Sequence, residues 1–235
     1  MGWNFTFTKN DSPIKVQLLI QMLKLRTIIV CSIFVMIFSI PKVTSQNTQS
    51  FPEESEYVID SDIDFEEALS GKNIPKSVIE TLSIVDVYYY GFDDKLHKGQ
   101  LVVNKAVVLD VIEIFEFIRE SHFPINKVVP ISNYGWSDEK SMMDNNTSAF
   151  NYRFISGTRV ISNHASGLAI DINPSLNPYI KNGSSLPANC LYDTTKAGTI
   201  SAGSQLVSEF KSRGWQWGGE WKSIKDYQHF EKKLK

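Results

Sequence analysis

Only four histidines occur in the 235 residues, and one of them, His164, stands in the stretch "SNHASGLAIDINP" (162–174) ahead of Asp171. Imidazole nitrogen and carboxylate oxygen are ligands that zinc accepts, and a catalytic zinc takes three protein ligands and leaves one position for water. Asp171 interrupts an apolar run that reads as a buried strand, where carboxylates are depleted. Strand alternation puts Leu168, Ile170 and Ile172 on one face and Gly167, Ala169 and Asp171 on the other. The acid therefore shares its face with the smallest side chains, which predicts room beside the carboxylate. Gly167 allows the preceding turn to relax, so that His164 can fold back towards Asp171. A His-x6-Asp spacing alone is a weak signal, and a buried acid that has found a hydrogen-bond partner is the other reading it leaves open.

A third ligand must come from His97, His122 or His229. His229 is the best placed, because "KDYQHFE" sets Asp226 three residues before it, and such a pair can share one side of a turn. Asp226 need not bind metal. As a general base it can take the proton from the attacking water and return it to a leaving amine. His122 follows a helix end, where an imidazolium complements the helix dipole, and His97 falls in a polar turn. Both are expected to be structural.

The elements that must hold these residues are legible in part. "LSIVDVYYYGF" (82–92) has the β-branched and aromatic content of a strand, and "GQLVVN" (99–104) can pair with it after a polar turn. Residues 105–122 place Val108, Val111, Ile112, Phe115 and Ile118 at helical spacing. "FPINKVVPIS" reads as a strand, and residues 132–149 as polar and irregular. "SAGSQLVSEFKSRG" presents Leu206, Val207 and Phe210 on one helix face, with Gly214 as its stop. "WQWGGEW" follows as a short strand and turn, and its Trp215, Trp217 and Trp221 are expected to pack the core around that last strand, with the lining of a groove as the other reading. Helices and hairpin strands without a βαβ rhythm predict an α+β fold: a single domain with a mostly antiparallel sheet flanked by helices, and the zinc site on the sheet.

Upstream, residues 27–40, "TIIVCSIFVMIFSI", form an apolar block after Lys24 and Arg26. It is short for a bilayer span and matches a signal-peptide core, with "VTS" (43–45) offering a cleavage site. Residues 1–45 are read as an export signal, with Met22 as a possible true start. An uncleaved anchor is the alternative, so a membrane enters only through this segment. Residues 46–58 then form a flexible leader and 59–235 the folded domain. Cleavage would remove five basic residues and one acid, leaving 19 basic and 25 acidic residues and a net charge of −6. That balance argues against a nucleic-acid partner. Cys190 would be the sole remaining cysteine, which excludes an intramolecular disulfide framework.

From Phe123 onwards the motifs "FPINK", "SMMDNNTSAFNYR", "SNHASGLAIDINPSLNPY" and "GWQWGGEWKSIKDYQHFE" appear in that order. This half of the chain resembles the zinc D-alanyl-D-alanine carboxypeptidase family, in its VanY-like and endolysin-like branch. The resemblance implies one zinc held by His164, Asp171 and His229, with Asp226 as the catalytic carboxylate. It implies that Arg153 contacts the substrate and stabilises the oxyanion, a role that suits a guanidinium fork. Ser162 matches a position that supports the substrate site. The implied partners are peptidoglycan stem peptides, reached in the periplasmic or extracellular cell-wall zone. Many relatives carry glutamate where this chain has Asp226. Aspartate there is similar to the L-alanyl-D-glutamate-cleaving branch, so the bond cut stays open. A zinc-containing wall-binding module that has lost catalysis is the alternative from another class.

Overall fold

The computed structural model describes residues 57–155 and 157–234. The expected export signal, and the leader up to residue 56, lie outside the described residues. The leader's last two residues are already part of the fold: Tyr57 meets Tyr88 edge-on with ring centroids 5.4 Å apart, and Val58 opens a strand.

In chain order the elements are β1 (Val58–Ile59), α1 (Phe65–Ala68), α2 (Lys76–Ile79), β2 (Leu82–Tyr90), β3 (Leu96–Asn104) and α3 (Val108–Glu120). There follow β4 (Lys127–Val128), α4 (Asp138–Met143), β5 (Asn146–Thr147), β6 (Ala169–Asp171), β7 (Tyr179–Lys181) and β8 (Ser184–Leu186). The chain closes with α5 (Gln205–Ser212), β9 (Trp215–Trp217), β10 (Lys225–Asp226) and β11 (His229–Lys232). Three small sheets run in the orders β1-β3-β2, β6-β11-β9 and β10-β7-β8, with β4 and β5 as a separate pair. Pairing is antiparallel except for β1–β3 and β4–β5. The α+β expectation is borne out. Among the described residues no helix is long and apolar enough to cross a membrane.

The hairpin β2–β3 is the scaffold. Val85, Val87 and Tyr89 alternate onto its inner face and are buried. Helix α3 lays Val111, Ile114, Phe115 and Ile118 against them, the i, i+3, i+4, i+7 stripe of an amphipathic helix. Asn104 starts this helical stretch by accepting from the Ala106 amide at 3.0 Å, while Asp110 and Arg119 complement the dipole at the two ends of α3. The same apolar cluster takes in Ile170 and Ile172, Phe210 of α5, and Phe230 of β11, so the hairpin and the sheet β6-β11-β9 share one core. Trp215 and Trp217 are buried in it as expected, with their indole N–H groups donating to Asp110 and to the Tyr227 carbonyl.

Three local expectations change. "FPINKVVPIS" yields only the two-residue β4 and a turn of 3-10 helix at Ile131–Tyr134, since Pro124 and Pro130 leave little chain free to pair. Residues 132–149 are not irregular throughout, because α4 lies within them. Ser137 caps it by accepting from the Lys140 amide, and Asp138 and Glu139 occupy its first turn. His97 sits not in a turn but inside β3, where Asp60 and Asp93 hold its two ring nitrogens at 2.9 and 3.0 Å. Its structural role stands.

Candidate metal centre

Register places the first two groups. β11 runs antiparallel to β6 with His229 opposite Asp171. The Ile172 amide bonds the Gln228 carbonyl at 3.0 Å and the Lys232 amide bonds the Leu168 carbonyl at 2.9 Å. His229 and Asp171 therefore form a non-hydrogen-bonded pair, the type in which facing side chains approach most closely. Their contact is direct, with His229 Nδ1 2.9 Å from Asp171 Oδ1.

His164 reaches the same point from a turn. Residues Asn163–Ser166 form a 3-10 turn that Ser162 caps with its hydroxyl, accepting from the His164 amide at 3.3 Å. Gly167 ends it at φ +66°, and a Cβ there would meet Asn104 N at 2.5 Å and Leu82 Cδ2 at 2.8 Å. Conformation and space both demand glycine. The turn directs His164 Nε2 to within 3.2 Å of Asp171 Oδ2 and 3.2 Å of His229 Nδ1. One atom from each of the three residues falls in a cluster no more than 4.8 Å across, and this group could hold a metal ion.

The surroundings test that fit. His164 Nδ1 lies 2.5 Å from the Ala149 carbonyl, which can only accept, so the ring proton sits there and Nε2 is left bare. His229 has a carboxylate acceptor at each nitrogen, Glu231 Oε2 3.2 Å from Nε2 and Asp171 Oδ1 2.9 Å from Nδ1. Without a metal both nitrogens therefore carry protons, and a metal would take the place of the one on Nδ1. Asp171 faces both imidazoles, so positive charge is drawn to the point between them, as protons on the rings or as a metal ion that replaces them. Electrostatics agree. Burial works against charge on His229, yet hydrogen bonds to Asp171 and Glu231, and the charges of Asp171 and Asp226, raise its pKa to about 10. Burial would also push Asp171 up, and the charge and hydrogen bonds of the two imidazoles overcome it and hold that carboxyl well below its ordinary value. The centre is a well for positive charge, and the residues present fit a divalent metal.

Asp226 borders this well. β10 pairs with β7, setting Asp226 opposite Tyr179, and the chain at Gly218 runs so close that a Cβ there would lie 2.6 Å from the Asp226 carbonyl. Burial, reinforced by the negative Asp171, raises the Asp226 carboxyl to about 6 against the opposing charges of His229 and His164. Gln228 Nε2 donates to its Oδ1 at 3.2 Å. A partly buried carboxyl poised near neutral pH is suited to proton transfer.

Residues 156–232 match the family model for D-alanyl-D-alanine carboxypeptidase. The matched segment contains His164, Asp171, Asp226 and His229, which bears out the family resemblance read from the sequence and supports a peptidase function of that kind. No solved structure matches the chain.

Arg153 lies outside the matched segment. Its carbonyl accepts from the Ser162 amide at 3.1 Å, which sets its backbone beside the His164 turn. Its side chain forms an ion pair with Asp138 of α4, a charge contact rather than an aligned hydrogen bond. Ser162 is 6 % exposed and its hydroxyl is engaged as the cap, so it supports the site through the turn. Three participants escaped the sequence reading: Glu231, Asn163 and the Ala149 carbonyl. Glu231 carried a usable signal, since it follows His229 by two residues and so shares its strand face. Trp221, expected in the core with Trp215 and Trp217, is instead half-buried beside the centre, its ring 5.3 Å from that of His229.

Proposed function

We propose that this protein is an exported zinc metallopeptidase that hydrolyses peptide bonds in peptidoglycan stem peptides. The observation that carries the reading is the convergence of His164 Nε2, Asp171 and His229 Nδ1 on one point, with the far nitrogen of each imidazole set on an outer acceptor. A three-residue N/N/O set is the ligand number of catalytic zinc, and the bound ion would supply Lewis acidity to the scissile carbonyl and to the attacking water.

The chain's own groups do the rest. Asp226, ionised at neutral pH, accepts a proton from the attacking water and delivers it to the departing amine nitrogen. Arg153, beside the ligand turn and about one-third exposed, compensates the negative charge that develops on the carbonyl oxygen. To do so its guanidinium exchanges Asp138 for the substrate. Export places the enzyme where its substrate lies, in the periplasmic or extracellular wall zone.

Zinc uptake and wall digestion test this together. The purified protein is expected to retain one Zn2+ per chain and to release new peptide ends from peptidoglycan. His164→Ala should lose the metal and the activity, whereas Asp226→Ala should keep the metal and lose the activity. Mass spectrometry of the fragments identifies the bond cut. A protein that takes up no zinc sinks the reading, and one that holds zinc but cuts no wall chemotype is a binding module of the same fold.

A further inference from the structure

Glu231 is one strand repeat beyond His229 on β11 and only 13 % exposed at its side chain. A carboxylate so withdrawn from water needs donors, and it has two on the same oxygen: His229 Nε2 at 3.2 Å and Asn163 Nδ2 at 2.6 Å. Both donors belong to elements that carry the candidate ligands. Asn163 opens the turn that presents His164, and β11 presents His229 itself. The second imidazole has an outer acceptor of another kind, the main-chain carbonyl of Ala149.

We infer that Glu231 is the positioning residue of the metal centre. It fixes His229 as the Nε2–H tautomer, so that Nδ1 is the ligating atom. Through Asn163 it also clamps the His164 turn to the His229 strand, setting the distance between two ligands. This rests on the metal reading of His164, Asp171 and His229. Without Glu231 the ring that gives up its Nδ1 proton to a metal has no outer acceptor to hold the remaining proton on Nε2. The metal-binding tautomer and ring orientation then lose their support, and affinity falls.

The test uses the full chain, freed of metal and titrated with Zn2+ against a chromophoric chelator, with Co2+ absorption as a second reading of ligand geometry. Glu231→Ala is expected to weaken Zn2+ binding about 10–100-fold, the range found for lost outer partners of metal-bound histidines. Glu231→Gln, which retains an acceptor without the charge, should fall between it and wild type. Asn163→Ala should show a smaller loss that does not add to that of Glu231→Ala, because the two share one interaction. A merely structural role would instead lower the melting temperature of the metal-free protein while leaving the affinity of the folded fraction unchanged. Should Glu231→Ala fail to fold, Glu231→Gln decides. Zn2+ affinities of the variants within twofold of wild type overturn the positioning role and leave the metal reading intact. A wild type that binds neither Zn2+ nor Co2+ overturns both.

Discussion

Asp226 is where chemistry and stability pull in opposite directions. Its carboxyl titrates near 6 in the folded chain against 3.8 in the open chain, chiefly because burial disfavours its charge. The folded state thus binds this proton more tightly than the unfolded state does. The resulting stabilisation is complete below about pH 3.8 and disappears as pH rises through about 6. Asp226→Asn removes the titration. The metal-free variant should melt higher than wild type above pH 6, by an amount on the order of 2 kcal/mol, and the two should converge near pH 4. The same substitution should lower peptide hydrolysis by about 10²–10⁴-fold with zinc still bound. Thermal scans of the apo proteins at pH 4 and pH 8, set beside turnover, check both halves. Equal melting at pH 8 would show that Asp226 carries no strain from ionisation.

At the scale of elements, the turn 163–166 and the register of β6 on β11 decide the geometry. Gly167→Ala would force a methyl group into the Asn104 amide and Leu82 at a positive φ. It should destabilise the protein by about 2–4 kcal/mol and weaken metal binding, because His164 moves with the turn. Calorimetry and zinc titration read the two effects. This turn was legible, since a glycine between His164 and an alternating strand has few other uses. The strand face of Asp171 was legible too, although the room expected beside it is filled by a second imidazole rather than left open. The register was not legible. Nothing within "DYQHFE" specifies which residue of a distant strand will oppose His229, because pairing across such a separation is chosen by the shared core. Helix α4 was missed for another reason: its sequence, DEKSMM, has no apolar period, and only the Ser137 cap with two acids after it announced a start. Buried Asn173 and Asn177 were also passed over. Their amides bond the carbonyls of Pro124, Ile172 and Gly198, and so tie the loops behind the site to the end of β6.

For the whole molecule, the centre is fastened to the hairpin scaffold through the extended segment 147–151. Ser148 exchanges both backbone hydrogen bonds with Asp171, at 2.8 and 3.0 Å, and Asn151 donates to the His164 carbonyl. Phe150 donates to Val102 of β3. The ligands are therefore held by the same packing that holds the fold, and occupancy should report on global unfolding rather than on a local flap. At a free zinc concentration about 100 times Kd, binding adds about 2.7 kcal/mol. For a domain of this size that is a rise of roughly 5–10 °C in melting temperature, which a chelator should abolish without changing the far-ultraviolet spectrum at 25 °C. A melting temperature indifferent to chelation would separate the site from the cooperative unit. The α+β class and the core helices followed from hydrophobic period alone. The sharing of one core by hairpin and site sheet did not, because periodicity shows which face is buried and not what covers it.

The two outer acceptors of the centre differ in how they can change. The Glu231 carboxylate is written in the genetic code and is lost by a single substitution. The Ala149 carbonyl belongs to the main chain, and any side chain at position 149 that preserves the backbone will present the same oxygen to His164. Half of the arrangement that orients the ligands is therefore invisible to a comparison of residue types. Variation at 149 among related chains would carry no information about it. An engineer wishing to tune how firmly the metal is held has one side to adjust, through Glu231, while the other is protected from mutation by being made of peptide bond.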